Sequence, residues 1–99
     1  MVRHIVLFKL KNTLAEAEKR EVMVAFKQAI EALPAQIDVI RHIEVGLNMN
    51  PDEAFDIALN GEFDSLEDVR FYAAHPAHLA AASLLKDAKE SRACTDYEF

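Results

Sequence analysis

The residues best equipped for chemistry lie in one short run, Phe71-Tyr72-Ala73-Ala74-His75-Pro76-Ala77-His78. Two histidines and a tyrosine meet there at a proline that must interrupt a helix, and irregular backbone at such a break aims side chains in particular directions. Histidine is the side chain whose ordinary pKa makes it a base near neutral pH. A tyrosine hydroxyl can hold a developing oxyanion. Tyr72 and His78 lie six residues apart across Pro76 and are expected to face one cavity. Together they could serve as a general base and a hydrogen-bond donor toward one ligand. The same residue types also serve structure: a histidine near a helix start can be a hydrogen-bonded packing group, and a tyrosine closing a short amphipathic helix can be core. His75-x-x-His78 is also metal-ligand spacing, but Pro76 lies between the two and no third ligand is near in sequence. No metal is assigned.

Several elements must position these groups. Arg3 to Leu10 is β-branched and aromatic, with Val6, Phe8 and Leu10 on one face and Ile5 and Leu7 on the other, which predicts a strand covered on both faces. His4 shares its face with Val6 and Phe8. Thr13 and Glu16 have capping-box spacing, and Val22, Phe26, Ile30 and Leu33 form the apolar stripe of a helix that Pro34 stops. Val39 to Asn48 and Phe55 to Phe63 alternate as strands. Gly61 inside the second marks a bulge or a close approach. Ser65-Leu66-Glu67-Asp68 opens a helix from Leu66 to Ala74. A further helical piece from Ala77 to about Ser91 follows the break at Pro76, and Ala93 to Phe99 closes as a strand that buries Cys94. The order β-α-β-β-α-β is the α+β ferredoxin-like arrangement: an antiparallel sheet with helices on one face, the second helix broken at Pro76.

Composition narrows the functional classes. With 99 residues the chain has room for one domain, residues 1–99. The 17 acidic residues against 11 basic ones leave no basic stripe, which argues against nucleic acid as a partner. No apolar run reaches the roughly 18–20 residues of a membrane span. The first residues read as structure and lack the features of a signal peptide, so a cytoplasmic protein with no membrane partner is expected. A single cysteine, Cys94, precludes an internal disulfide.

Two helices cover only one face of a four-stranded sheet. The other face would expose Ile5, Leu7 and one parity of the remaining strands, a patch of several hundred Å² that soluble monomers rarely tolerate. Covering it is worth on the order of 10 kcal/mol before the cost of association. A homodimer, sheet on sheet, is the expected solution.

Several segments together resemble the stress-responsive A/B barrel (Dabb) domain family. They are Arg3-His4-Ile5-Val6-Leu7-Phe8-Lys9-Leu10-Lys11, Glu44-Val45-Gly46, Glu62-Phe63-Asp64-Ser65-Leu66-Glu67-Asp68, Tyr72-x-x-His75-Pro76-x-His78 and Asp96-Tyr97, spread over essentially the whole chain. The resemblance implies a dimeric α+β barrel formed through the sheet faces. A plant branch of the family contains polyketide cyclases, in which a histidine matching His78 is the base, a tyrosine matching Tyr72 assists, and a pocket histidine matches His4. The chain departs from those cyclases at Ala73, Ala80, Ala81 and Ala82, small where a cyclase shapes its acyl pocket, which leaves the substrate open. Two readings follow. One is a homodimer whose cavity, lined by His4, Val6, Phe8, Phe26, Leu59 and His75, binds a small apolar or carbonyl-bearing ligand without an assigned reaction. The other is a cofactor-independent lyase or polyketide-cyclase-like enzyme with His78 and Tyr72 as its catalytic pair. A cofactor-free monooxygenase shares the fold, but no residue here favours it.

Overall fold

Alternation along the first strand decides the layering of the chain. In the computed structural model, which describes residues 1–99, β1 (Val2–Leu10) buries Val2, His4, Val6, Phe8 and Leu10 and leaves Arg3, Ile5, Leu7 and Lys9 half-exposed. It is followed by α1 (Glu16–Glu31), β2 (His42–Leu47), β3 (Ile57–Phe63), α2 (Leu66–Ala74), α3 (Pro76–Ala82) and β4 (Lys89–Glu98). The sheet order is β2-β3-β1-β4, and every neighbouring pair is antiparallel. This is the ferredoxin-like α+β fold, with the helices against one face and the second helical region split at Pro76.

The core lies between that face and the helices. β1 contributes Val6, Phe8 and Leu10, β2 and β3 contribute Val45, Ile57, Leu59 and Phe63, and α1 contributes Met23, Phe26 and Ile30. Met23 takes the buried place expected of Val22, which is only half-buried. The first helix also starts later than Thr13. Residues 11–14 instead turn, with the Leu14 N–H donating to the Lys11 carbonyl at 3.3 Å, so that Leu14 packs on the core before the helix begins. Ala15 is the N-cap, and its N–H donates to the Glu18 carboxylate at 3.4 Å.

Pro34 does stop α1, inside a 3-10 turn at Leu33–Ala35. β2 begins at His42 rather than Val39, because Ile37 and Ile40 are buried in the loop that precedes it. The last helix is shorter and the last strand longer than their spacing predicts. α3 ends at Ala82, a 3-10 turn carries Ser83–Leu85, and β4 starts at Lys89. The second edge of β1 requires this, since β4 pairs with it from Val2 opposite Glu98 to Leu10 opposite Lys89. Leu85 and Ala88 still reach the core, through the turn rather than a helix. Cys94, expected to be buried, is exposed. Every residue of β4 is exposed in the protomer.

Gly61 marks a close approach and not a bulge, since the β1–β3 register runs unbroken through it. A Cβ there would meet Cε1 of the fully buried Phe63 at 2.9 Å and the His4 Cβ at 3.8 Å. Gly61→Ala is therefore expected to destabilise the protein by about 1–3 kcal/mol through overpacking, measurable as a lowered urea midpoint with an unchanged slope.

The face away from the helices carries a narrower apolar strip than the alternation of β1 alone suggests. Register places Ile5 and Leu7 beside Ala58 and Ala93, flanked by Arg3, Glu44, Asn60, Glu62 and Thr95. On this face the Arg3 Nε and the Asn60 Oδ1 are buried without any hydrogen-bond partner.

Candidate functional site

Pro76 builds the site by ending α2 and starting α3 within two residues. Ser65 opens α2 by accepting the Asp68 N–H at 3.1 Å, and the helix then presents Val69 and Tyr72 inward. His75, held extended before the proline, caps α3. Its Nδ1 accepts the Ala77 N–H at 3.0 Å, and its ring packs edge-on against Phe71. One turn into α3, His78 turns back over Tyr72.

A cavity of about 100 Å³ lies between the sheet and these helices. It is lined by His4, Val6, Phe8, Phe26, Leu59, Tyr72, His78, Ala82, Leu85, Lys89 and Arg92. His75 is not among them. The backbone break that brings Tyr72 and His78 together uses His75 as a helix cap and turns its ring toward Phe71.

Tyr72 is 1% exposed, and its ring is held between Phe63 (centroids 5.1 Å apart), His4 (6.0 Å) and His78 (4.4 Å). Its hydroxyl is buried and has no hydrogen-bond partner. Leaving such a donor unmet costs about 1–3 kcal/mol, and native structures rarely carry that cost without a use for the group. Burial pushes the Tyr72 phenol above its ordinary range, with the nearby Arg92 charge opposing. The group is therefore a neutral donor at physiological pH.

His78 is half-buried, and its Nδ1 lies 2.9 Å from the Ala73 carbonyl oxygen. A carbonyl can only accept, so Nδ1 carries the proton and Nε2 keeps its lone pair. Burial lowers the His78 pKa; the Ala73 hydrogen bond opposes this, while the charges of His4 and Arg92 reinforce it. The result is a histidine that stays in its basic form at neutral pH. His4, 7% exposed, donates from Nδ1 to the Asp96 carboxylate at 2.5 Å. That bond fixes the ring's orientation beside Tyr72.

His4 Nδ1, Cys94 Sγ and an Asp96 oxygen lie within 4.8 Å of one another, close enough for atoms that share a cation. Asp96, however, already occupies the nitrogen that a metal would need. The thiol stands 3.7 Å from that same nitrogen. A histidine engaged by both partners through one nitrogen cannot relay a proton between them, so the trio is not a nucleophilic triad.

Neither residue type nor spacing points to Lys89 and Arg92, and Asp96 stands out only as part of the Asp96-Tyr97 segment of the resemblance. Their place depends on how β4 pairs with β1, with Asp96 opposite His4 and Arg92 opposite Phe8.

The sequence profile of the stress responsive A/B barrel domain matches residues 2–99. An uncharacterized protein of Streptomyces coelicolor is 35% identical over 100% of both chains. The olivetolic acid cyclase of Cannabis sativa is 27% identical over 97% of this chain and 94% of its own. Among solved structures, a dimeric protein of unknown function and ferredoxin-like fold from Bacteroides fragilis is 64% identical. It superposes with a TM-score of 0.98 over 99% of this chain and 95% of that one. The chain belongs to the stress responsive A/B barrel domain family.

Proposed function

We propose that the chain is a homodimer in which each protomer binds a small carbonyl-bearing ligand in the cavity and removes a proton from the carbon beside that carbonyl without a cofactor. His78 is the base, through Nε2. Tyr72 donates its hydroxyl to the carbonyl oxygen as negative charge grows there. The observation that carries this reading is the Tyr72 hydroxyl, buried and unpartnered, on a ring that packs at a tilt against the His78 imidazole with centroids 4.4 Å apart. The cyclase relative, aligned over nearly the full length of both chains, supports carbon–carbon chemistry as the reaction class. A volume of about 100 Å³ favours a short ligand over an extended polyketide chain. The same small size supports a second reading, capture of a small ligand without turnover.

Incorporation of solvent deuterium at C2 of methyl 3-oxobutanoate separates the two. Exchange that saturates with ester and exceeds the rate given by His78→Ala supports proton abstraction. Equal rates for the two proteins would remove it and leave only binding. The depressed His78 pKa also sets the pH profile. Activity is expected to be flat from pH 8 down through about 6.5, the ordinary histidine value, and to fall only below it. An acid limb centred above 6.5 would contradict the assignment of the base. Folding follows the same sign. The neutral His78 of the native state contributes stability that is complete above the unfolded value and is lost as pH falls through the lower folded one.

The dimer is supported by the uncovered sheet face, where Ile5 and Leu7 lie beside two polar atoms that lack partners, and by the dimeric description of the Bacteroides fragilis protein. Light scattering at micromolar concentration is expected to give twice the protomer mass. A single protomer mass would end the proposal.

A further inference from the structure

Two cavity-lining side chains, Lys89 and Arg92, take no part in the proton transfer. They are the only charged side chains in the lining, and no acid accompanies them there. Both are exposed, and neither forms a salt bridge. Two of the acids near them in sequence are engaged elsewhere: Asp96 accepts from His4, and Glu90 pairs with Lys9.

Their shared direction comes from an irregularity in the ladder. Strict alternation would send residues 89 and 92 to opposite faces. The register shifts between Lys9 and Leu10, so that Lys89 stands opposite Leu10 and Arg92 opposite Phe8, both on the helix-covered face. The extra residue, Glu90, is displaced, where it meets Lys9. Bulges of this kind re-aim side chains beside functional sites. The bulge thus sets two cations on the cavity's side of the strand, toward the Phe8 end. Tyr72 packs on His4, four residues away along β1.

We infer that the ligand carries a carboxylate, held by Arg92 and Lys89 at the mouth of the cavity, and that this anchor leaves its carbonyl to the Tyr72 hydroxyl. The substrate class is therefore a short oxo-carboxylic acid, an inference that rests on the ligand site proposed above and narrows its substrate. Arg92 has the planar fork that matches a carboxylate, and Lys89 adds a second, mobile charge. The lining between the two ends, Val6, Phe8, Phe26 and Leu59, is apolar and accepts a short carbon chain.

The test compares 3-oxobutanoate with its methyl ester, which differ in charge and share the carbonyl. Affinities are read from NMR shift titrations of the intact protein at low ionic strength. The acid is expected to bind at least tenfold more tightly than the ester, with the ratio shrinking as salt is added. Arg92→Gln should lower the ratio, Arg92→Gln combined with Lys89→Gln should bring it close to one, and Arg92→Lys should retain part of it. Tyr72→Phe should weaken both ligands and leave the ratio intact. Equal binding of acid and ester by the wild type, a ratio that survives the double substitution, or no binding of the acid at millimolar concentration would overturn the inference. A normal ratio with no effect of Tyr72→Phe would count against the proposed carbonyl chemistry and leave the anion anchor standing.

Discussion

Replacing His78 by alanine is expected to lower deuterium incorporation into a bound 1,3-dicarbonyl ligand by about 10²–10⁴-fold, the usual contribution of a positioned general base. The loss comes from a single nitrogen. Nδ1 is committed to the Ala73 carbonyl, so Nε2 alone can take the proton, and partial burial keeps it unprotonated. His78→Gln provides the control. An amide can still donate to Ala73, and it has no basic nitrogen, so it is expected to lose as much activity as alanine while preserving the local fold. Melting temperature and the dispersion of the NMR spectrum would show whether either variant is still folded. A His78→Gln protein that is folded and retains more than a tenth of the rate would exclude His78 as the base.

Tyr72→Phe is expected to move stability and activity in opposite directions. The hydroxyl is buried without a partner, so its removal relieves a desolvation penalty and should stabilise the free protein by about 1–2 kcal/mol. The ring contacts with Phe63, His4 and His78 are kept. The same substitution removes the donor to the enolate oxygen and should slow exchange by about 10²–10³-fold, the effect of losing one oxyanion donor. Because burial raises the Tyr72 pKa, no alkaline limb in the pH profile is expected from this residue. Urea unfolding and exchange kinetics on one preparation would check both signs. A structural tyrosine would behave differently: loss of a hydrogen-bonded hydroxyl lowers stability and leaves catalysis alone.

The sequence speaks clearly where local rules dominate. The alternation in β1, the Ser65 cap and the break at Pro76 each follow from residues within a turn or two of one another, and they define the surfaces on which His4, Tyr72 and His78 sit. Local rules misplace the start of α1, since Thr13 and Glu16 have capping spacing but the burial of Leu14 delays the helix. They extend α3 too far because Leu85 and Ala88 keep helical spacing, although Leu85 closes a 3-10 turn and Ala88 lies in the turn before β4. They assign His75 to the pocket on the strength of its neighbours, although the residue before a proline is extended and free to cap the next helix. Lys89 and Arg92 leave no local signal at all, and Asp96 enters only through the Asp96-Tyr97 segment of the family resemblance. Their contribution arises from a pairing between the two ends of the chain and from a one-residue bulge, both of which are tertiary facts. Cys94 illustrates the same limit. A strand position is apolar or wet according to what covers it, and every residue of β4 stays exposed in the protomer.

The central claim is that the unpartnered Tyr72 hydroxyl awaits a ligand carbonyl. Its most direct measurement is the ¹³C resonance of the ketone carbon of labelled methyl 3-oxobutanoate at saturating protein. A donated hydrogen bond draws electron density from that carbon, so the resonance is expected to move downfield on binding to the wild type and to stay near its free position with Tyr72→Phe. A bound ligand whose ketone resonance is the same in both proteins would contradict the account.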